Sequence, residues 1–329
     1  MNRVFVLGAG FSKAINTGMP VLSELTDGVA SILDSWGIGI GHDLEAIADV
    51  ERWLSFLADP APWLGSSEQG RNYALFGDVS RAIHEVLTAM EVTASVHSAP
   101  PWLFSLVRYW NSESATVITF NYDRLVELAF LDIMSKSGMY WASDLYSIPI
   151  SPAVQRVGGP ARQRLPAFKL LKLHGSLSWW YSGPDAEQSD PIYWMGWRGR
   201  FGDGIQPLWP EFGGESLVMD KLPMLVPPAA TKTPFYKNRL LATQWAQAAE
   251  ALRAAEELVL MGYSIPVTDL TVRTLIATQF KGRTIVPVNQ DPDVVARARE
   301  LGDRRSPPDV IDAFIDPSAL EKWTNTFAS

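Results

Sequence analysis

The chain has 329 residues, 47% hydrophobic and 19% charged, with a net charge of −8 and no cysteine. The apolar fraction supports a large packed core and excludes global disorder. The missing thiols exclude disulfides, cysteine-ligated zinc and a cysteine nucleophile, and the acidic balance argues against wholesale nucleic-acid binding, which needs a basic face. No stretch approaches 18 unbroken apolar residues, so no membrane span is expected. The start, MNRVFVLGAGFS, lacks the h-region and cleavage site of a signal peptide and reads as mature structure in a cytoplasmic protein. The four histidines, His42, His84, His97 and His174, make no HxxxH or HExxH spacing, so no metal site is expected.

Residues 3–10, RVFVLGAG, predict a strand, a tight glycine turn and a helix start with Ser12 as N-cap. Glycine lets the backbone approach a ligand there; the alternative is a strand-to-helix turn that only needs positive φ. Helical spacing follows over 43–58 and 71–96, with a loop at 59–70, and places His84 and His97 in packing or surface roles. Residues 115–130, ATVITFNYDRLVELAF, repeat strand, turn and helix, and put Asn121 and Asp123 at a strand's carboxyl end. In open α/β sheets ligands bind at that edge.

Residues 168–176, FKLLKLHGS, read as one further strand closed by His174 and Gly175, where His174 is either a packed core histidine or a group placed to handle a proton, and Gly175 leaves room for a ligand. The region behind it, 179–214, is rich in Trp, Pro and Gly. It is a hairpin excursion, a lid, an oligomer contact or a tryptophan-packed minor core. Trp179 and Trp180 accordingly wall the pocket or hold a neighbouring subunit. The last third is regular: a helix at about 234–256, a strand at 257–264, a helix from about Thr268, a strand at 283–291 ending near Asn289, and a helix at 292–301. A last short strand or helix falls in 309–323.

Strands that are nearly all apolar and alternate with helices imply an α/β, Rossmann-like parallel sheet with helices on both faces. The core is assigned to about 1–34, 112–135, 165–180 and 234–329. An inserted, mainly helical module covers about 35–111, and an irregular Trp/Pro/Gly-rich insertion about 179–230. Five strand ends carry small or polar groups: Gly8 to Ser12, Asn121 to Asp123, His174, Gly262 to Ser264, and Asn289. The dinucleotide fingerprint GxGxxG is broken by Lys13, and no acidic ribose partner follows a second strand, which disfavours a hydride-transfer dehydrogenase.

The segments 8-GAGFS-12, 18-GMP-20, 119-TFNYD-123, 172-KLHGS-176, 262-GYSIPVTD-269 and 286-VPVNQD-291 resemble, in order, the sirtuin-like NAD-binding family, and within it the bacterial NAD hydrolases of antiphage defence. The resemblance implies a single sirtuin-like domain with NAD as substrate and no metal. It implies that Gly8, Ala9, Gly10, Phe11 and Ser12 cradle the phosphates and adjacent ribose, and that Gly262 and Ser264 contact phosphate. Asn289 would meet the adenosine side. Asn121 would orient the nicotinamide ribose and a water, with Asp123 as its acidic companion, and His174 would be general base. Asp123 could equally cap the following helix, and Asp269 is either a ligand group or a helix N-terminal residue.

Two departures stand out. The deacetylase branch carries a four-cysteine zinc module, and its Asp-Phe-Arg is here 21-VLS-23. Both put deacylation in doubt. An imidazole of ordinary pKa can take a proton from water near neutral pH, help typically worth ~10²–10⁴-fold. Unchecked NAD loss is lethal, so gating by homo-oligomerisation or a partner is expected, and the family points to a HerA-type ATPase or an Argonaute-like protein. Direct nucleic-acid or membrane binding is not expected. A non-catalytic NAD or ADP-ribose sensor, or a scaffold subunit, is the alternative.

Overall fold

Strand β1 (Arg3–Leu7) is a run of branched and aromatic residues, four of them buried. It occupies the middle of a six-stranded sheet with β2 (Thr116–Thr119), β4 (Lys169–Lys172), β10 (Glu257–Met261), β11 (Thr284–Val288) and β12 (Asp309–Val310). The order is β12-β11-β10-β1-β2-β4, and every pairing is parallel. The chain builds outward from β1 to β4, then crosses back and builds outward on the other side from β10. This is the order of a doubly wound, Rossmann-like sheet, and its switch point lies between β1 and β10. The computed structural model describes residues 2–21, 24–39, 50–58, 62–134, 140–152, 163–183, 186–207, 218–226, 236–267, 269–301 and 308–327.

Side chains alternate across a strand, so each apolar strand feeds two cores. Phe5, Leu7, Val117, Leu170, Val259 and Val286 enter one core. It is covered by α1 (Ala9–Ile15), α2 (Leu25–Ser35), α3 (Val50–Ala58), α4 (Ser66–Ser95), α5 (Pro101–Ser112), α6 (Leu125–Met134) and α10 (Ala319–Asn325). Val4, Val6, Ile118, Leu171, Leu258 and Ile285 enter the other, beneath α7 (Arg239–Ala254), α8 (Leu270–Gln279) and α9 (Asp293–Arg299). The predicted sheet with helices on both faces is therefore present.

Local boundaries differ for identifiable reasons. Ser12 is not an N-cap: α1 begins at Ala9 with Gly8 as its cap residue, and Ser12 lies inside the helix. Helix α4 starts at Ser66, inside the expected loop, and Glu68 Oε2 accepts the Gly65 amide at 2.9 Å, satisfying one N-terminal donor. The expected helical residues 43–49 lie outside the described residues. Helix α7 starts after Asn238, whose side chain accepts from the Leu240 and Leu241 amides. The tail holds both a strand, β12, and a helix, α10.

The largest difference is at FKLLKLHGS. The expected single strand is two: β4 ends at Lys172, and β5 (Gly175–Tyr181) belongs to another sheet. That second sheet has the order β3-β6-β5-β9, with β3 (Ser151–Pro152), β6 (Tyr193–Trp194) and β9 (Leu222–Leu225). A hairpin of β7 (Trp197–Arg200) and β8 (Gly204–Pro207) follows β6. Gly175 makes the transfer at φ +88°, and a Cβ there would stand 1.8 Å from the Met224 carbonyl oxygen. The space beside Gly175 is thus filled by β9, not by a ligand.

Of the readings for the Trp-rich region, a hairpin, β7–β8, and a tryptophan-packed minor core are both present among the described residues. Trp179, Trp194 and Trp197 are buried. Trp179 meets Tyr146 edge-on at 5.1 Å, and Trp180 lies over His84 at 4.9 Å.

Candidate functional site

The carboxyl ends of β1 and β10 meet face to face. The Gly8 amide donates to the Met261 carbonyl at 3.1 Å, the Gly10 amide to Gly262 at 3.0 Å, and the Gly262 amide to Val288 at 2.9 Å. This contact explains the glycines. A Cβ on Gly8 or Gly10 would lie 2.7 or 2.9 Å from the Gly262 carbonyl oxygen, and one on Gly262, at φ +59°, would lie 2.1 Å from the Phe11 nitrogen. Gly8 itself sits at φ −119°. The glycines of GAG serve chain-to-chain approach, and neither has the positive φ weighed from the sequence. Among the described residues the Ala9 and Ser264 amides have no acceptor, so those two, not the Gly8, Gly10 or Gly262 amides, are the donors open to an anion.

A cleft of about 360 Å³ opens above this junction. Gly8, Ala9, Gly10, Ser12, Asn121, Asp123, His174, Gly262, Ser264, Asp269 and Asn289 all line it. Residues more than 250 positions apart are gathered because the parallel sheet aligns every strand's carboxyl end on one edge. Phe11 is the exception. It is fully buried, packing against Trp102 at 5.5 Å and Trp110 at 6.1 Å, because the turn of α1 points it into the core. Its expected cofactor role is not supported by that placement.

Asn121 is fixed by two bonds from Nδ2, to the Gly8 carbonyl at 2.9 Å and Ser12 Oγ at 2.8 Å. Ser12 Oγ donates to Asp123 Oδ2 at 2.6 Å. Asp123 Oδ1 accepts the Leu125 amide at 3.2 Å, so the carboxylate also caps α6. Burial pushes the Asp123 carboxyl up to about 6 against the opposing pull of Lys172 and Ser12. Asp269 caps α8 through the Val272 amide at 3.4 Å and is buried; its helix role is realised, at the rim of the cleft. Asn289 Nδ2 donates to the Tyr263 carbonyl at 3.3 Å, and its Oδ1 accepts the Asp291 amide at 3.2 Å.

His174 occupies the turn between the two sheets and is 2% exposed. Its ring lies 4.9 Å from Phe120 and 6.4 Å from Tyr122 and from Trp245, and its carbonyl accepts the Val226 amide at 2.8 Å. The imidazole is therefore held by aromatic walls on the cleft's inner side. His84 behaves as expected of a packing residue: it is buried, Nε2 lies 2.8 Å from the Leu177 carbonyl, and burial pushes it down to about 4. His97 is exposed, with Nδ1 2.7 Å from the Thr93 carbonyl.

Sequence reasoning missed a buried ionic layer beneath the NYD turn. Lys172 Nζ donates to the Asp123 carbonyl at 2.5 Å and to Glu127 Oε1 at 2.9 Å, and Tyr146 OH donates to the same Glu127 oxygen at 2.9 Å. The next residue, Arg124, pairs with buried Glu91. The signal was present as a Glu within the apolar run LVELAF and a Lys within KLLKL. Leu87 of α4 also lines the cleft, and nothing in its helical pattern singles it out. Met19 and Pro20 line it too, within the GMP segment. Among the described residues no Lys or Arg lines the cleft, and no group of His, Asp and Glu could hold a metal ion. No described helix is long and apolar enough to cross a membrane.

No protein-family model and no curated protein matches the chain. Similar solved structures include a Sir2 homologue in complex with NAD, at 14% identity over 100% of this chain and 91% of that one, with a TM-score of 0.44. Sir2Tm bound to a propionylated peptide is similar at 13% identity, over 100% and 94%, with a TM-score of 0.45.

Proposed function

We propose that the chain is an NAD hydrolase that releases nicotinamide and ADP-ribose, acting as the NAD-depleting effector of a bacterial antiphage defence system. The observation that carries this reading is the convergence of five strand ends on one switch-point cleft, with Asn121 and His174 both among its lining residues. The motifs TFNYD and KLHGS, whose family likeness points to NAD, supply those two residues.

In the reaction the bond from ribose C1′ to the pyridinium nitrogen breaks, and its electron pair neutralises that nitrogen. Water oxygen bonds to C1′, and the water proton passes to His174. Aromatic walls around His174 keep bulk water out, which strengthens each polar contact inside. Asn121 cannot take a proton; its work is geometric, and orientation of this kind can contribute several kcal/mol, about 7–11 at the upper end. The NAD diphosphate would rest on the Ala9 and Ser264 amides, since the cleft lining offers no cationic side chain.

Activity is gated by assembly or by a partner such as a HerA-type ATPase or an Argonaute-like protein. Without such control the enzyme would exhaust its host's NAD. Purified protein, alone across a concentration series and with the product of the adjacent gene, is incubated with NAD, and nicotinamide and ADP-ribose are quantified. Equimolar release of both is expected, with at least 100-fold loss in His174→Ala. NAD binding without turnover in every assembly state would replace this reading with that of a non-catalytic sensor.

A further inference from the structure

The hydrogen bonds around Asn121 have only one consistent direction. The Gly8 carbonyl can only accept, so the amide nitrogen of Asn121, not its oxygen, must face it. The second N–H of that nitrogen goes to Ser12 Oγ. Ser12 then has a single proton left, and it lies 2.6 Å from Asp123 Oδ2. The other Asp123 oxygen is engaged by the Leu125 amide, which can only donate. The chain is thus pinned at one end by a carbonyl and at the other by a helix-capping carboxylate. Both Asn121 donors are consumed inside the protein. Among the described residues, no donor reaches Asn121 Oδ1, and Asn121 lines the cleft.

We propose that Ser12 and Asp123 are positioning residues that lock the Asn121 side chain with its carbonyl oxygen toward the cleft, so that Asn121 acts there purely as an acceptor for a hydroxyl donor, the attacking water or a ribose hydroxyl. The chemistry of this inference rests on the NAD hydrolase reading; the geometry does not. It reverses the expected part of two residues. Ser12 and Asp123 act through Asn121 and do not themselves bind NAD, and Asn121 does not donate to the substrate.

The first test needs no activity. In the full chain labelled with ¹⁵N-asparagine, both Asn121 side-chain protons exchange slowly, and in Ser12→Ala one of them exchanges at least 10-fold faster. An Asn121 amide with one fast proton in the wild type, or unchanged by Ser12→Ala, overturns the proposal. The second test is kinetic. Ser12→Ala and Asp123→Ala each lower kcat about 10- to 100-fold, the scale of a misplaced reacting group, with KM and the NAD Kd unchanged. Neither adds a further loss in an Asn121→Ala background. Additive losses, or a weakened NAD Kd in Asp123→Ala, would show direct ligand contact and overturn the proposal. Ser12→Ala removes a single oxygen from α1, so it keeps this test readable if Asp123→Ala does not fold. In Asn121→Ala, an unchanged NAD Kd identifies the donor as water and a weakened one as a ribose hydroxyl. Absent turnover with the exchange result intact would remove the hydrolase reading and leave the locked Asn121 standing.

Discussion

Gly175→Ala is the most demanding test of how the two sheets are joined. Gly175 has φ +88°, and an added Cβ would stand 1.8 Å from the Met224 carbonyl oxygen, where real contacts stay beyond 3.0 Å. Strand β9 would have to retreat by about 1.2 Å, the gap between those two distances. The backbone conformation alone costs about 1–2 kcal/mol for a residue with a Cβ, and overpacking adds about 1–3 kcal/mol. A total of about 2–5 kcal/mol corresponds to a fall in Tm of roughly 3–7 °C for a chain of this size. Gly37→Ala is the matched control: φ is +73°, but nothing lies within 4 Å of the added Cβ. It should show the backbone part alone. Both are measured by thermal unfolding under one buffer. Because the Val226 amide next to β9 holds the His174 carbonyl at 2.8 Å, Gly175→Ala should also depress NAD turnover, and Gly37→Ala should not. Equal Tm losses in the two variants would refute the steric account of the sheet junction.

Other outcomes follow from buried groups. His84 is pushed down from 6.5 to about 4, so its contribution to stability is complete above pH 6.5 and falls by about 3 kcal/mol as pH drops toward 4. Asp123 is pushed up from 3.8 to about 6, so its contribution runs the other way, present below pH 3.8 and lost by about 3 kcal/mol as pH rises through 6. The two offset each other between pH 4 and 6. Relative to wild type, denaturation of His84→Gln should show stability gained on acidification across that window, and Asp123→Asn stability lost; parallel pH profiles would contradict both environments. Lys172→Met leaves buried Glu127 without its ion-pair partner and should cost about 3–5 kcal/mol in urea unfolding, with part of it restored by adding Glu127→Leu. Asn238→Ala removes the acceptor of the Leu240 and Leu241 amides and should cost about 1 kcal/mol without altering NAD turnover.

Much of the fold was legible before any coordinates. RVFVL, TVIT, ELVLM and TIVPV are short, apolar and β-branched, and each is followed by a helix, which is the grammar of a parallel sheet buried on both faces. The strand-end residues Asn121, Gly262, Ser264 and Asn289 were legible for the same reason, since such a sheet must bring its carboxyl ends to one edge. Phe11 misled because a motif assigns a segment to a ligand, while helix geometry decides which of its side chains faces inward. KLHGS misled in a different way. Its pattern shows a strand closing at His174 and Gly175, but carries no sign that the chain enters a strand of a second sheet there.

The residue sequence by itself determined the alternation of strands and helices, and with it the sheet class and the edge where polar groups would gather. Local chemistry suffices for that, because periodicity and turn residues act over a few neighbours. Only the tertiary structure decided what each polar group does. The glycines of GAG admit Gly262, Gly175 admits Met224, and Ser12 joins Asn121 to Asp123 across more than 100 residues. Those roles depend on long-range contacts between segments whose separation in sequence carries no record of the atoms they will meet.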